Sequence, residues 1–141
     1  MIEPAKLGEA DCAYLAALLD NAASVEIKRG RRGKSVYRTL LLSISGLKGA
    51  AAKWLLEKFG PGHCYQTPEG MKVTYVTRRA AEVCVHAYPH LQAFKEHARL
   101  VTRFASSLGS FRTPLTPENV AIRVEVDREL QALQRGAKRG R

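Results

Sequence analysis

The chain has 141 residues, enough for one domain with a buried core, and its 45% hydrophobic content argues against a disordered protein. Lys and Arg number 23 against 13 Asp and Glu, a net charge of +10, which favours a polyanionic partner such as nucleic acid. A basic protein whose surplus charge serves only solubility is the alternative. Cys12, Cys64 and Cys84 are widely spaced, which disfavours a disulfide framework or a zinc site.

No apolar run approaches the roughly 20 residues of a membrane span, and the first residues lack the apolar core of a signal peptide. The sequence therefore predicts a soluble intracellular protein with no membrane partner.

The first predicted element is a helix from Glu9 to Asp20 that is apolar on nearly every face after Asp11. Such a helix must be covered on two sides, by its own domain and by something else. Small residues at helical spacing would let another backbone approach it closely, namely Ala13, Ala16 and Ala17. The segment from Asn21 to Ser24 is expected to break the helix.

Two strands are predicted next. Ser24 to Lys28 alternates, with Val25 and Ile27 on one face. The basic segment from Arg29 to Lys34 is predicted to be a hairpin loop. A second strand follows from Tyr37 to Ser45, with Leu40, Leu42 and Ile44 inward and Thr39, Leu41, Ser43 and Ser45 outward.

The remaining pattern predicts an amphipathic helix, two short strands joined by a turn, and three further helices. Their expected bounds are Gly49 to Phe59, His63 to Thr67, Met71 to Thr77, Arg79 to Tyr88, Gln92 to Leu108, and a last helix capped by Thr116. Residues 1–134 are thus predicted to form one α+β domain with four antiparallel strands, followed by a mobile basic tail, 135–141.

The segment from Leu15 to Ser24 (LAALLDNAAS) resembles the motif of LAGLIDADG homing endonucleases together with the serine that usually follows it. The order of the next elements is similar to that family, and the segments Arg79 to Val83 and Pro89 to Ala98 look like the region that closes its domain. The resemblance covers about 100 residues, Glu9 to Leu108. It implies an αββαββα fold with a four-stranded antiparallel saddle and C-terminal helices.

One motif copy implies a homodimer in which two motif helices pack together, here through Ala13, Ala16, Ala17 and Asp20, and which reads a pseudo-palindromic duplex. The outer face of the saddle would enter the major groove of DNA. The resemblance places these residues on that face: Glu26, Lys28, Thr39, Leu41, Ser43, Ser45, His63, Tyr65, Thr67, Lys72 and Thr74. Four cations of the predicted loop would contact phosphates or flanking bases: Arg29, Arg31, Arg32 and Lys34.

The resemblance also implies a cleavage site at the end of the first helix, where the family holds Mg²⁺ on the second acid of the motif. Here that position is Ala22, and Asp20 matches the first acid, which ends the helix. Asp20 is the nearest candidate for a substitute metal ligand, and Lys48 and Lys95 are candidate remnants of the pocket. Ala52 and Phe94 occupy two positions where the family often has basic residues.

Three functions stay open on this evidence. The first is a homodimer that binds a long duplex site without cutting it efficiently, as a repressor or a remnant of an intron or intein mobility element. The second is an active Mg²⁺-dependent endonuclease that obtains its acid from Asp20 or Glu26. The third is an RNA-binding intron maturase, since maturases share this fold.

Overall fold

The computed structural model describes residues 7–33, 35–108 and 116–139. Its elements, in chain order, are α1 (Glu9–Ala22), β1 (Ala23–Arg32), β2 (Ser35–Leu47), α2 (Gly49–Phe59), β3 (His63–Thr67), β4 (Gly70–Val76), α3 (Thr77–Ala87), a 3-10 turn (Tyr88–His90), α4 (Lys95–Ser106) and α5 (Pro117–Arg139). The predicted α+β class with four antiparallel strands is confirmed. Among the described residues, no helix is both long and apolar enough to cross a bilayer.

The four strands form one antiparallel sheet in the order β1-β2-β4-β3. Because side chains alternate along a strand, one face of this sheet is apolar and buried. Leu40, Leu42 and Ile44 are fully buried on β2, as predicted, and Val73 and Tyr75 join them from β4. Helices α1, α2 and α3 pack against strands of this sheet, which leaves the opposite face uncovered by them.

The boundaries of the first hairpin differ from the prediction. Helix α1 continues to Ala22 and β1 continues to Arg32, so Arg29 to Arg32 belong to a strand rather than to a loop. The turn is tight and includes Gly33, whose φ of +60° is one that glycine adopts without strain. β2 also runs past Ser45 to Leu47 through a bulge at Gly46, where the pairing with β4 shifts register.

The second half follows the prediction more closely. The bounds of α2 and β3 are those expected, and a 3-10 turn containing Pro89 separates α3 from α4. α3 begins at Thr77, earlier than predicted, and the Thr77 hydroxyl donates to the Leu40 carbonyl at 3.4 Å. The predicted cap of the last helix is confirmed, since Thr116 Oγ1 accepts from the Asn119 N–H at 3.2 Å. Helix α5 extends to Arg139, into the segment predicted as a basic tail; the mobility of that tail stays a prediction.

Candidate nucleic-acid interface

The uncovered face of the sheet carries a groove of about 410 Å³ that spans all four strands. Eight of its nine lining residues belong to the set predicted for DNA contact, and the ninth is Val76. The nine are Glu26, Lys28, Leu41, Ser43, His63, Tyr65, Lys72, Thr74 and Val76. The period-two alternation that buries the other face therefore gathers these side chains on one surface.

Strand register aligns the groove residues in rows across the sheet. Leu41 lies opposite both Glu26 and Val76, and Thr74 lies opposite both Ser43 and His63. The hydroxyls of Ser43 and Thr74 are hydrogen bonded at 3.0 Å, and the Lys72 ammonium lies 5.7 Å from the centre of the Tyr65 ring. The groove thus presents hydroxyls, an imidazole, cations, a carboxylate and apolar surface, which are the groups that read base edges in a major groove.

Three further predicted contact residues have the same strand parity but do not line the groove. Thr39 and Ser45 are half-buried on β2. Thr67 is at the end of β3, where its hydroxyl donates to the Gly70 carbonyl at 2.7 Å and so stabilises the turn into β4. These three side chains are therefore not part of the groove lining.

A tyrosine extends this face toward the hairpin turn. Gly30 lies opposite Tyr37 in the β1–β2 register, and a Cβ atom at Gly30 would fall 2.2 Å from the Cζ of Tyr37. The Tyr37 ring therefore lies over Gly30, the residue of β1 that has no side chain. Tyr37 remains about half exposed. The sequence prediction did not include it, although a tyrosine facing a glycine in a hairpin is a readable signal.

The four cations predicted to contact DNA from the hairpin differ in their surroundings. Arg29 has the parity of Val25 and Ile27 and pairs with Asp127 of α5, Nη2 to Oδ2 at 2.6 Å, while about half of its side chain stays exposed, so its phosphate contact stays a prediction. Arg31 is exposed near the end of β1. The side chain of Arg32 and all of Lys34 lie outside the described residues, so their predicted contacts stay predictions.

The end of α1 has an internal structural role. The Asp20 carboxylate accepts the N–H of Gln92 at 3.1 and 3.2 Å and the N–H of Phe94 at 2.8 Å. These N–H groups immediately precede α4 and have no carbonyl of an earlier turn to bond. Asp20 therefore joins α1 to the start of α4, while Ala22, in the last turn of α1, presents only a methyl group.

The other residues predicted for a cleavage pocket are dispersed or apolar. Phe94 is buried and stacks on His97, with ring centres 5.2 Å apart. Ala52 is buried inside α2. Lys95 extends its ammonium over the Tyr88 ring at 5.3 Å, and Lys48 is the exposed N-cap residue of α2. Burial lowers the pKa of His97 below its usual value, and the nearby Glu96 partly opposes that shift.

Comparison with solved structures identifies the architecture. The I-CvuI homing endonuclease, in complex with a DNA target, superimposes with a TM-score of 0.71 at 16% identity over 89% of this chain and 82% of that chain. The homing endonuclease I-TnaI gives 0.65 at 14% identity over 92% and 97%. The LAGLIDADG homing endonuclease I-SmaMI, bound to cleaved DNA, gives 0.61 at 13% identity over 83% of this chain and 42% of that chain. The chain has the LAGLIDADG homing-endonuclease fold.

Sequence comparison adds no nearer relative, since no family model and no curated protein matches the chain. The predicted fold is nevertheless confirmed, including the position of the LAGLIDADG-like helix α1 before the saddle. The chain is similar in length to I-CvuI and I-TnaI and corresponds to less than half of I-SmaMI.

The side chains at the end of α1 do not suit the Mg²⁺ ion that the family resemblance implies. The Ala22 side chain has no ligand atom, and both oxygens of Asp20 already accept backbone N–H groups. Among the described residues, no group of three or more His, Cys, Asp or Glu side chains is arranged to hold a metal. A role for Asp20 as a substitute ligand would make its carboxylate share its lone pairs between the metal and the N–H groups of Gln92 and Phe94.

The two sides of α1 differ in exposure. Leu15, Ala16 and Leu19 are buried in the core of the chain itself, so Ala16 does not belong to the exposed side that was predicted for a dimer contact. Ala13, Tyr14 and Ala17 are exposed, and Tyr14 packs edge-on against Trp54 at 4.8 Å. The outer side of the helix therefore carries two small alanines beside one tyrosine.

Proposed function

We propose that this protein is a homodimer that binds duplex DNA sequence-specifically through the groove of its saddle and does not cut the DNA efficiently. The observation that carries the proposal is the groove itself, in which side chains from all four strands face one uncovered surface. Its mixture of donors, acceptors and apolar groups suits a major groove, and the net charge of +10 suits phosphates.

The outer side of α1 supports the proposed dimer. Two apolar residues and a tyrosine, Ala13, Ala17 and Tyr14, form an exposed stripe on a helix whose other side is in the core. Small side chains allow two helices to approach closely. Since the chain matches less than half of I-SmaMI, a second copy would supply the other half of such a saddle.

The absence of efficient cleavage follows from chemistry at the end of α1. A metal that clamps a scissile phosphate needs oxygen ligands, and a methyl group at Ala22 supplies none. The one carboxylate of that helix end, on Asp20, already accepts backbone N–H groups of the segment before α4. The two basic candidates, Lys48 and Lys95, do not replace it, because a lysine ammonium has no lone pair for a metal.

Selection from a randomised duplex library, with Mg²⁺ present, tests the proposal. Retained duplexes are sequenced and examined for strand breaks with the unaltered chain, with Ala22→Asp, and with Ala121→Asp as control. Ala121 is exposed on α5, so the control makes the same charge change away from the saddle and from the exposed side of α1. We expect selective, intact, pseudo-palindromic duplexes from the unaltered chain and the control, and Mg²⁺-dependent nicking only with Ala22→Asp.

Other outcomes lead to the remaining functions. Mg²⁺-dependent cutting by the unaltered chain would overturn the non-cutting proposal and indicate an active endonuclease. Retention of structured intron RNA in preference to every duplex would indicate a maturase. A concentration-independent monomer in sedimentation, with or without selected duplex, would remove the dimer. No selective retention of any nucleic acid would leave only the fold.

A further inference from the structure

A buried carboxylate ties the last helix to the β1–β2 hairpin. Asp127, on α5, accepts from Arg29 of β1 through Nη2 at 2.6 Å and Nε at 2.8 Å, and from Arg38 of β2 through Nε at 3.2 Å. All three bonds reach the same oxygen, Oδ2. The second oxygen, Oδ1, accepts from the side-chain amide of Gln131 at 3.2 Å. Only 9% of the Asp127 side chain is exposed, so its charge is held by these partners.

The two arginines are direct cross-strand neighbours in the hairpin register. Like charges directly opposite each other in an antiparallel pair repel and weaken that part of the ladder. A carboxylate placed between the two guanidinium groups reverses the sign of this interaction. The negative charge that α5 supplies thus offsets the repulsion at this pair of the hairpin.

This clamp lies directly behind residues of the groove. The pair Arg29–Arg38 follows Lys28–Thr39 and precedes Gly30–Tyr37 along the hairpin. Because alternate pairs face opposite sides, the clamp is on the helix-covered side and its two neighbouring pairs are on the groove side. A second contact from α5 reaches the same strand, where Gln134 Nε2 donates to the Val25 carbonyl at 3.4 Å.

We propose that Asp127 is a positioning residue for DNA recognition: by pairing with Arg29 and Arg38 it fixes the outer half of the hairpin, and with it Lys28 and Tyr37, in the shape that meets the duplex. The inference rests on the proposed DNA-binding function. A hairpin held in its bound geometry loses less conformational entropy on binding, so the clamp acts on affinity without touching DNA.

The test compares Asp127→Asn with Glu125→Gln. Both substitutions are on α5 and both remove one negative charge, but Glu125 pairs with Arg103 of α4 at 2.7 Å, away from the hairpin. Dissociation constants are measured for the selected duplex and for a random duplex, and amide hydrogen exchange is measured on the free protein. Asn keeps the volume of Asp127, and thermal unfolding checks that each variant is folded.

We expect Asp127→Asn to weaken binding of the selected duplex about tenfold or more relative to Glu125→Gln, with equal affinities for the random duplex. Substitutions at the outer base pairs of the site should then matter less to Asp127→Asn than to the parent. In the free protein, amides from Lys28 to Arg38 should exchange faster in Asp127→Asn only, while the amides of β3 and β4 keep their rates.

Equal losses in the two variants would overturn the positioning role, as would a loss spread evenly over all base pairs. Unchanged hairpin exchange in Asp127→Asn would overturn the clamp whether or not DNA binds. If the parent selects no duplex while the hairpin of Asp127→Asn exchanges faster, the clamp stands as a structural device, and both the proposed function and the positioning role fail.

Discussion

The groove and the end of α1 both looked polar and functional in the sequence, yet the structure uses their polar groups differently. In the groove, polar atoms such as those of Lys28 and His63 are exposed on an uncovered sheet face. At the helix end, the Asp20 carboxylate is directed into the fold and bonds the segment before α4. The groove is therefore available to a partner, whereas the helix end is occupied in holding two helices together.

This difference bears on how a LAGLIDADG fold could keep recognition while losing chemistry. Recognition depends on many side chains, each contributing a modest part, so single substitutions in the groove change it gradually. Cleavage depends on one metal held by one or two acids, so a single methyl group at Ala22 is enough to remove a ligand. The two functions can therefore separate without any change of fold.

The largest effect should come from removing the cations of the groove. The double variant Lys28→Ala with Lys72→Ala takes away two charges from the surface that we propose enters the major groove, between the two phosphate backbones. We expect the dependence of log affinity on log salt for the selected duplex to become shallower by roughly two. Affinity at moderate salt should fall by roughly 10- to 100-fold, as measured by fluorescence anisotropy.

The matched control for that experiment is Lys53→Ala with Arg128→Ala, which removes the same charge from exposed positions on α2 and α5. Its salt dependence should stay close to that of the parent. Equal changes in both double variants would mean that overall charge, rather than the groove, governs binding, and the contrast between the two regions would lose its functional meaning.

A smaller, purely structural effect is expected at the end of α1. Asp20→Ala leaves the N–H groups of Gln92 and Phe94 without their acceptor, so we expect the free energy of unfolding to fall by about 2–4 kcal/mol. Asn21→Ala, next to it, removes one exposed bond to the Ala17 carbonyl and should cost less than about 0.5 kcal/mol. Urea denaturation measures both.

The same two variants distinguish a structural role of Asp20 from a role as a metal ligand. If Asp20→Ala left stability unchanged but abolished Mg²⁺-dependent cleavage or Mg²⁺ binding by calorimetry, then the helix end would be a catalytic site after all. In that case the comparison with the groove would have to be withdrawn.

Most of the architecture was predictable because it depends on periodicity along the chain. Alternation on β2 identified the buried Leu40, Leu42 and Ile44, and the family resemblance placed eight of the nine groove residues on the opposite face. The bounds of α2 were exact because glycine residues begin and end it, with Gly60 at a φ of +84°. Elements whose structure depends only on neighbouring residues could therefore be predicted from the sequence.

The errors occurred where a distant part of the chain decided the structure. The segment of Arg29 to Arg32 resembles a basic loop, but it is a strand in which Arg29 pairs with Asp127, 98 residues away. The prediction also missed the pairing of Arg38 with Asp127, because these two residues are 89 positions apart in the sequence. Likewise, nothing near Asp20 in the sequence indicates that it bonds Phe94, and nothing near Ala16 shows that this residue belongs to the core.

The smallest effect we expect concerns His97, which supports the same junction through its stack on Phe94. Burial lowers the pKa of His97, and its Nδ1 is buried with no hydrogen-bond partner among the described residues. The folded state therefore binds fewer protons than the unfolded state in a window below about pH 6.5, the usual value of a histidine. Stability must rise with pH through that window and fall again as acid is added.

His97→Phe keeps an aromatic ring on Phe94 and removes the titration, so its stability should depend less on pH between 5 and 7 than that of the parent. Urea midpoints at a series of pH values measure this, and an NMR titration of the His97 ring checks the assignment. If the two proteins lost stability equally on acidification, the junction would not be the acid-sensitive part of the fold.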